Sequence, residues 1–146
     1  MVARTTHVQF ITNLAALIVT GVNRRYLVPT TPPALFSDSD LPIQYVPGST
    51  LESNLLTYGE FGEYWTVHKA QLIIAASRIG ADTGPGPLYD RCLILADALN
   101  TALEQAQAHD TIANEGLEWN INVGRQEVAE GIFWGVVANV STRRPM

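Results

Sequence analysis

The chain has one cysteine, one lysine, few charges of either sign and no apolar stretch long enough to cross a bilayer. A lone Cys92 excludes an internal disulfide framework and a cysteine-based zinc site, and mildly favours a reducing compartment. Lys69 is the single lysine, and nine basic against fourteen acidic residues give a net charge of −5. Such a chain lacks the cationic surface of a non-specific duplex binder. Charged residues make up 16% of the sequence, against roughly 25% in an average soluble chain. The shortfall predicts that part of the surface is covered, and self-association is the simplest cover. Leu14 to Val19, the longest apolar run near the start, falls far short of the roughly 20 residues of a membrane span. Gln9, Thr12 and Asn13 interrupt any leader-like core after Arg4, and no small-residue cleavage pattern follows. The segment is therefore expected in the mature fold, with no membrane contact.

The 146 residues suffice for one packed domain spanning 1–146. From Thr6 onward, Val8, Ile11, Leu14 with Ala15, Ile18 and Val22 recur at steps of three and four, predicting a helix that Thr5 or Thr6 caps and Gly21 ends. A second helix is read from Leu88, Cys92, Leu95, Leu99, Leu103 and Ala106, with Asp90, Asp97, Asn100, Thr101 and Glu104 facing away and Pro87 in its first turn. Tyr64 to Ala76 reads as a long strand whose second half is apolar on both sides and therefore central in a sheet. Leu117, Trp119, Ile121 and Val123 alternate with Glu118, Asn120 and Asn122, and the alternation resumes through Ile132, Trp134, Val136, Ala138 and Val140. Two such runs predict a C-terminal β-hairpin. Between Pro29 and Glu60, five prolines forbid a long helix and leave room only for a short strand such as Ile43 to Val46. This stretch is expected to be a long loop or arm, with a contact function. The fold class is thus α+β: one mainly antiparallel or mixed sheet backed by two helices.

Few residues offer chemistry. His7, His68 and His109 lie in three different elements, without the spacing that lets two imidazoles share a metal. Asp38 and Asp40 lack the glycine and distal glutamate of a calcium loop. Gly80, Gly84 and Gly86 are followed by no Lys-Ser/Thr pair, and Pro85 and Pro87 remove donors a phosphate cradle needs. Cys92 falls on the apolar stripe of the second helix, where it packs as a small hydrophobe. Neither a metal nor a cofactor is expected. Tyr58, Glu60, Phe61, Glu63, Tyr64 and Trp65 put two carboxylates among aromatic rings, which suits either an aromatic strand entry or a sugar-stacking pocket. Arg24-Arg25 and Arg143-Arg144 are the basic pairs, and arginine in pairs fits docking to an acidic neighbour better than a grip on DNA.

An N-terminal helix, a proline-rich excursion, a long strand, the helix from Leu88 to Ala106 and a terminal hairpin running from Trp119 through Gly131-Ile-Phe-Trp134 to Val140 resemble, in that order, the tail terminator proteins of long-tailed bacteriophages. The resemblance covers most of the chain as an order of elements and rests on no sharp motif. It implies a non-enzymatic virion protein of the tail or neck, assembled in the host cytoplasm as a hexameric ring. Such a ring caps the tail tube, stops its polymerisation and meets a head-completion protein, while DNA passes without specific binding. On this reading Arg24, Arg25, Leu35, Phe36, Arg143 and Arg144 are candidates for contacts between subunits or with the tube and neck. Glu115, Glu118, Glu127 and Glu130 are candidates for the channel lining, since an acidic wall does not retain phosphates. Two alternatives remain. One is another neck or tail-completion subunit; the other is a small α+β enzyme or ligand-binding domain with a pocket near Trp65 lined by Glu60, Glu63 and His68.

Overall fold

The computed structural model describes residues 5–27, 41–55, 64–78, 85–113, 116–128 and 131–145. Helix α1 spans His7–Ala15 and opens with a reciprocal cap: the Thr6 hydroxyl accepts from the Gln9 N–H at 3.1 Å, and the Gln9 side chain accepts from the Thr6 N–H at 2.9 Å. Phe10, Ile11, Leu14 and Ala15 are buried, whereas Val8 and Ile18 at the ends of the expected stripe are 74% and 76% exposed. The helix stops well before Gly21. From Ala15 to Thr20 burial alternates residue by residue, the habit of extended chain, so Leu17 and Val19 point inward and Ile18 outward. The Arg25 guanidinium donates to the carbonyl of Ala16, one of the orphan acceptors at the helix end. Gly21 does adopt the positive φ expected of it, +96°, but in the connection beyond the helix, where an added Cβ would come within 3.1 Å of Leu95.

Helix α2 runs over Pro85–Ala108 and keeps the stripe read from the sequence: Cys92, Leu95, Leu99, Ala102, Leu103 and Ala106 are buried and Asp90, Asp97, Thr101 and Glu104 exposed. Asp110, with φ +50°, turns the chain out of it, and the Thr111 N–H returns to the Ala106 carbonyl at 2.9 Å.

One mixed six-stranded sheet takes the remaining elements: β1 Arg24–Arg25, β2 Ile43–Tyr45, β3 Ser49–Leu55, β4 Tyr64–Arg78, β5 Leu117–Val128 and β6 Gly131–Pro145. Its order is β1-β2-β4-β6-β5, with β3 also on β4; β1 and β2 are parallel and every other pair antiparallel. Strand β4 is central, as its doubly apolar second half predicts. Part of the expected 29–60 loop is instead strand: β2 falls on the short apolar piece foreseen, but β3 is a seven-residue strand along β4. One alternating set of its residues is wholly polar (Thr50, Glu52, Asn54) and the other mixes serine with Leu51 and Leu55, too weak a pattern to announce a strand; backbone pairing with β4 holds it. Tyr45 faces Ile73 and Ser49 faces Ala70, so three residues, Val46 to Gly48, stand opposite two. That bulge seats Pro47, which has no N–H for a ladder.

Both helices lie on one face of the sheet. There Phe10, Leu14, Leu99 and Leu103 meet Leu72, Ile74, Val136 and Val140 in the main core, each fully buried aliphatic or phenyl side chain contributing roughly 1.5–3 kcal/mol. The other face holds a smaller cluster of Ile43, Tyr45, Ala75 and Phe133, against which Tyr26, Leu41 and Ile73 pack. No helix among the described residues is long and apolar enough to cross a membrane.

Candidate functional site

On the face away from the helices, registered pairing brings two polar rows together, each running across three strands. Gln71 of β4, Asn139 of β6 and Asn120 of β5 are direct cross-strand neighbours, as are Lys69, Ser141 and Glu118. The amides join into a chain: Gln71 Nε2 donates to Asn139 Oδ1 at 3.1 Å, Asn139 Nδ2 to Asn120 Oδ1 at 2.9 Å, and Asn122 Nδ2 to the same oxygen at 3.2 Å. At the β3 side Lys69 Nζ lies 3.1 Å from a Glu52 carboxylate oxygen, both half-exposed, a pair that neutralises charge more than it stabilises. Both rows, together with Pro47 and Gly48 of the bulge and Ser49 and Thr50 of β3, line an open groove of about 730 Å³. The groove is nearly neutral and rich in amide and hydroxyl groups. Its size falls within the range of ligand sites. Its chemistry is therefore that of a polar contact surface.

A second constellation lies on the helix-covered face. His7, at the first position of α1, reaches across β3 and β4. Its Nε2 is 2.9 Å from Ser49 Oγ, and its Nδ1 is 2.9 Å from Nδ1 of His68. The two imidazoles stack with centroids 5.2 Å apart and an interplanar angle of 22°, and Phe10 packs on His68 at 5.7 Å. His68 is 1% exposed, His7 half-buried and Ser49 exposed, so the chain of contacts runs from a dry interior to the surface. Burial holds the His7 pKa below its ordinary value. The sequence gives no hint of this grouping, since 61 and 42 residues separate the partners; only the β3 to β4 pairing, itself hidden, brings them together.

The candidates read from the sequence are scattered. Arg24 and Arg25 form β1 at one sheet edge and are exposed, Arg24 resting 4.9 Å over the Tyr26 ring. Glu118 is exposed on β5, the opposite edge strand, and Arg143 is exposed on β6 beside it. Arg144 and Glu127 belong to β6 and β5 by their main chain. Leu35, Phe36, Glu115 and Glu130 lie outside the described residues, as do Asp38, Asp40, Glu60 and Glu63. The pocket imagined around Trp65 loses its histidine, because His68 turns into the core against His7 and Phe10. Cys92 is buried, and burial pushes its thiol pKa up despite the opposing charge of Arg91, which leaves it unreactive. Among the described residues no group of three or more His, Cys, Asp or Glu side chains could hold a metal ion. No known family model matches the chain, and no curated protein is similar to it.

Proposed function

We propose that the chain is a ring-forming structural subunit of a virion tail, acting as a tail terminator: it caps a finished tail tube, ends polymerisation and seats a head-completion protein. The observation that carries this reading is the contrast between the two sheet edges. β1 presents Arg24 and Arg25, while β5 at the far side carries Glu118 and keeps a single unbroken register with β6 over all its 12 residues. Sheets that stay monomeric blunt such an edge with lysine, proline or a bulge; β5 contains neither residue and its pairing has no shift. Full antiparallel overlap of β5 with a second β5 would set Glu118 against Glu127, like charges directly opposed. The basic edge of one copy against the β5 edge of the next, where Glu118 and Glu127 outnumber Arg125, is the favourable alternative, and a head-to-tail contact of that kind closes into a ring when its rotation closes.

In this ring the groove face lines the channel. Gln71, Asn120, Asn139 and Ser141 offer no cationic charge to hold passing DNA, and the Lys69 ammonium is tied to Glu52. Charge reversal tests the assembly. Arg24→Glu with Arg25→Glu should abolish the ring measured by native mass spectrometry, and adding Glu118→Arg should restore it. Assembly indifferent to both changes removes the edge-to-edge contact.

A further inference from the structure

We propose that Ser49 is an activated nucleophile, with His7 as its general base and His68 as the group that orients that base, and that it transfers short acyl groups from carboxylic esters to water. Ser49 also borders the groove, but the inference does not rest on the ring. The contacts allow this role in one of their two tautomers, the one that leaves the His68 proton on its buried Nε2. An Nδ1 to Nδ1 approach of 2.9 Å needs one nitrogen to donate and the other to accept, so the two rings cannot both carry a proton there. With the proton on His7, its Nδ1–H donates to His68 and its Nε2 lone pair faces the Ser49 hydroxyl at 2.9 Å. Once His7 takes the serine proton, both its nitrogens donate: Nε2–H to the serine oxygen and Nδ1–H to His68. His68 thereby orients the imidazolium by accepting its Nδ1–H, the positioning part of what a buried carboxylate does in a serine triad, without the carboxylate's charge.

The surroundings suit the task. The Thr6–Gln9 cap fixes the first turn of α1 and with it His7. His68 is held in the middle of β4, paired with Leu51 on one side and Thr142 on the other. Ser49 opens β3 directly after the bulge and is exposed, as is Gly48 before it. That exposure admits an ester carbonyl, and a rim with no enclosing walls fits short acyl chains. Gly48 stands outside both ladders, and its N–H is the main-chain donor assigned to the developing oxyanion. The nearest described ion pair, Lys69 with Glu52, belongs to the other face of the sheet.

The reaction balances without a cofactor. Ser49 Oγ bonds to the carbonyl carbon while its proton moves to His7 Nε2. The ester C–O bond then breaks, and His7 returns the proton to the departing alcohol, leaving acyl-Ser49. Water adds next, giving a proton to His7, and the free carboxylic acid leaves as the serine recovers its hydrogen.

The test is covalent capture. The full chain is treated with an alkyl fluorophosphonate, from which serine displaces fluoride, and the adduct is located by peptide mass spectrometry. Modification at Ser49 is expected, faster than in urea-unfolded protein, with a rate falling at least about 100-fold in His7→Gln. His68→Leu should lose a comparable factor, while His68→Asn, whose carbonyl can still accept from His7 Nδ1, should recover most of it. A wild-type pH profile supplies a readout free of folding defects. The rate should rise to a plateau with a midpoint below 6.5, the ordinary histidine value from which burial lowers His7. Adducts elsewhere, a rate no faster than in urea, indifference to His7→Gln, or a rate that climbs with hydroxide without a plateau would each overturn the proposal.

Discussion

The two faces of the sheet differ in what holds them. The helix-covered face is sealed by apolar side chains whose neighbours come from α1 and α2, whereas the groove face is held by amide and hydroxyl groups that water can replace at little cost. One face fixes the fold and the other is left to meet something. A protein that only needed to fold could have covered both, so the contrast marks the groove face and the edges that border it as the contact surface of the proposed assembly.

The largest effect should come from cutting into the sealed face. Leu103 is 0% exposed in the main core, and Leu103→Ala should cost about 2–5 kcal/mol by removing methyl contacts and leaving a cavity. Thermal or denaturant unfolding measures it; a loss below 1 kcal/mol would mean the helix layer is not the main stabilising contact.

Next comes Tyr45, on the smaller cluster of the opposite face, whose phenol burial pushes up to about 12 from an ordinary 10. The folded state then holds its proton more tightly than the unfolded chain. Stability is unaffected below pH 10 and falls as the pH climbs from 10 to about 12. Absorbance titration should show one of the five tyrosines ionising late and together with unfolding, and Tyr45→Phe should flatten the alkaline loss. A wild-type curve already flat over that range would show the cluster to be wet.

The smallest effect belongs to the groove. Asn139→Ala removes two amide contacts, but their partners regain water, and unfolding should shift by only about 0.5–1.5 kcal/mol. The contrast between faces sharpens if Asn139→Ala leaves stability nearly intact yet weakens assembly or docking, and it collapses if the amide chain matters as much as Leu103.

The same division explains what was legible in the sequence. Elements on the sealed face write their burial as periodicity: α2 through Cys92, Leu95, Leu99 and Leu103, β4 through its doubly apolar second half, β5 and β6 through alternation. The end of α1 was misread because Ile18 and Val22 continue the helical spacing while the backbone has already become extended, a choice made by packing of Leu17 and Val19. β3 was invisible because an edge strand needs only backbone pairing, and Thr50, Glu52 and Ser53 show no face. The candidate site divides in the same manner. Glu118, Asn120 and Asn122 announce a polar strand face, but no local pattern connects His7 to Ser49 and His68, whose meeting depends on the strand that left no trace.

Native mass spectrometry of the purified chain, alone and with isolated tail tubes, tests the proposed assembly most directly. A closed ring, six-fold by resemblance to tail terminators, is the expected species, lost on reversing Arg24 and Arg25 and regained with Glu118→Arg. A monomer under both conditions, with no binding to tube ends, would contradict it.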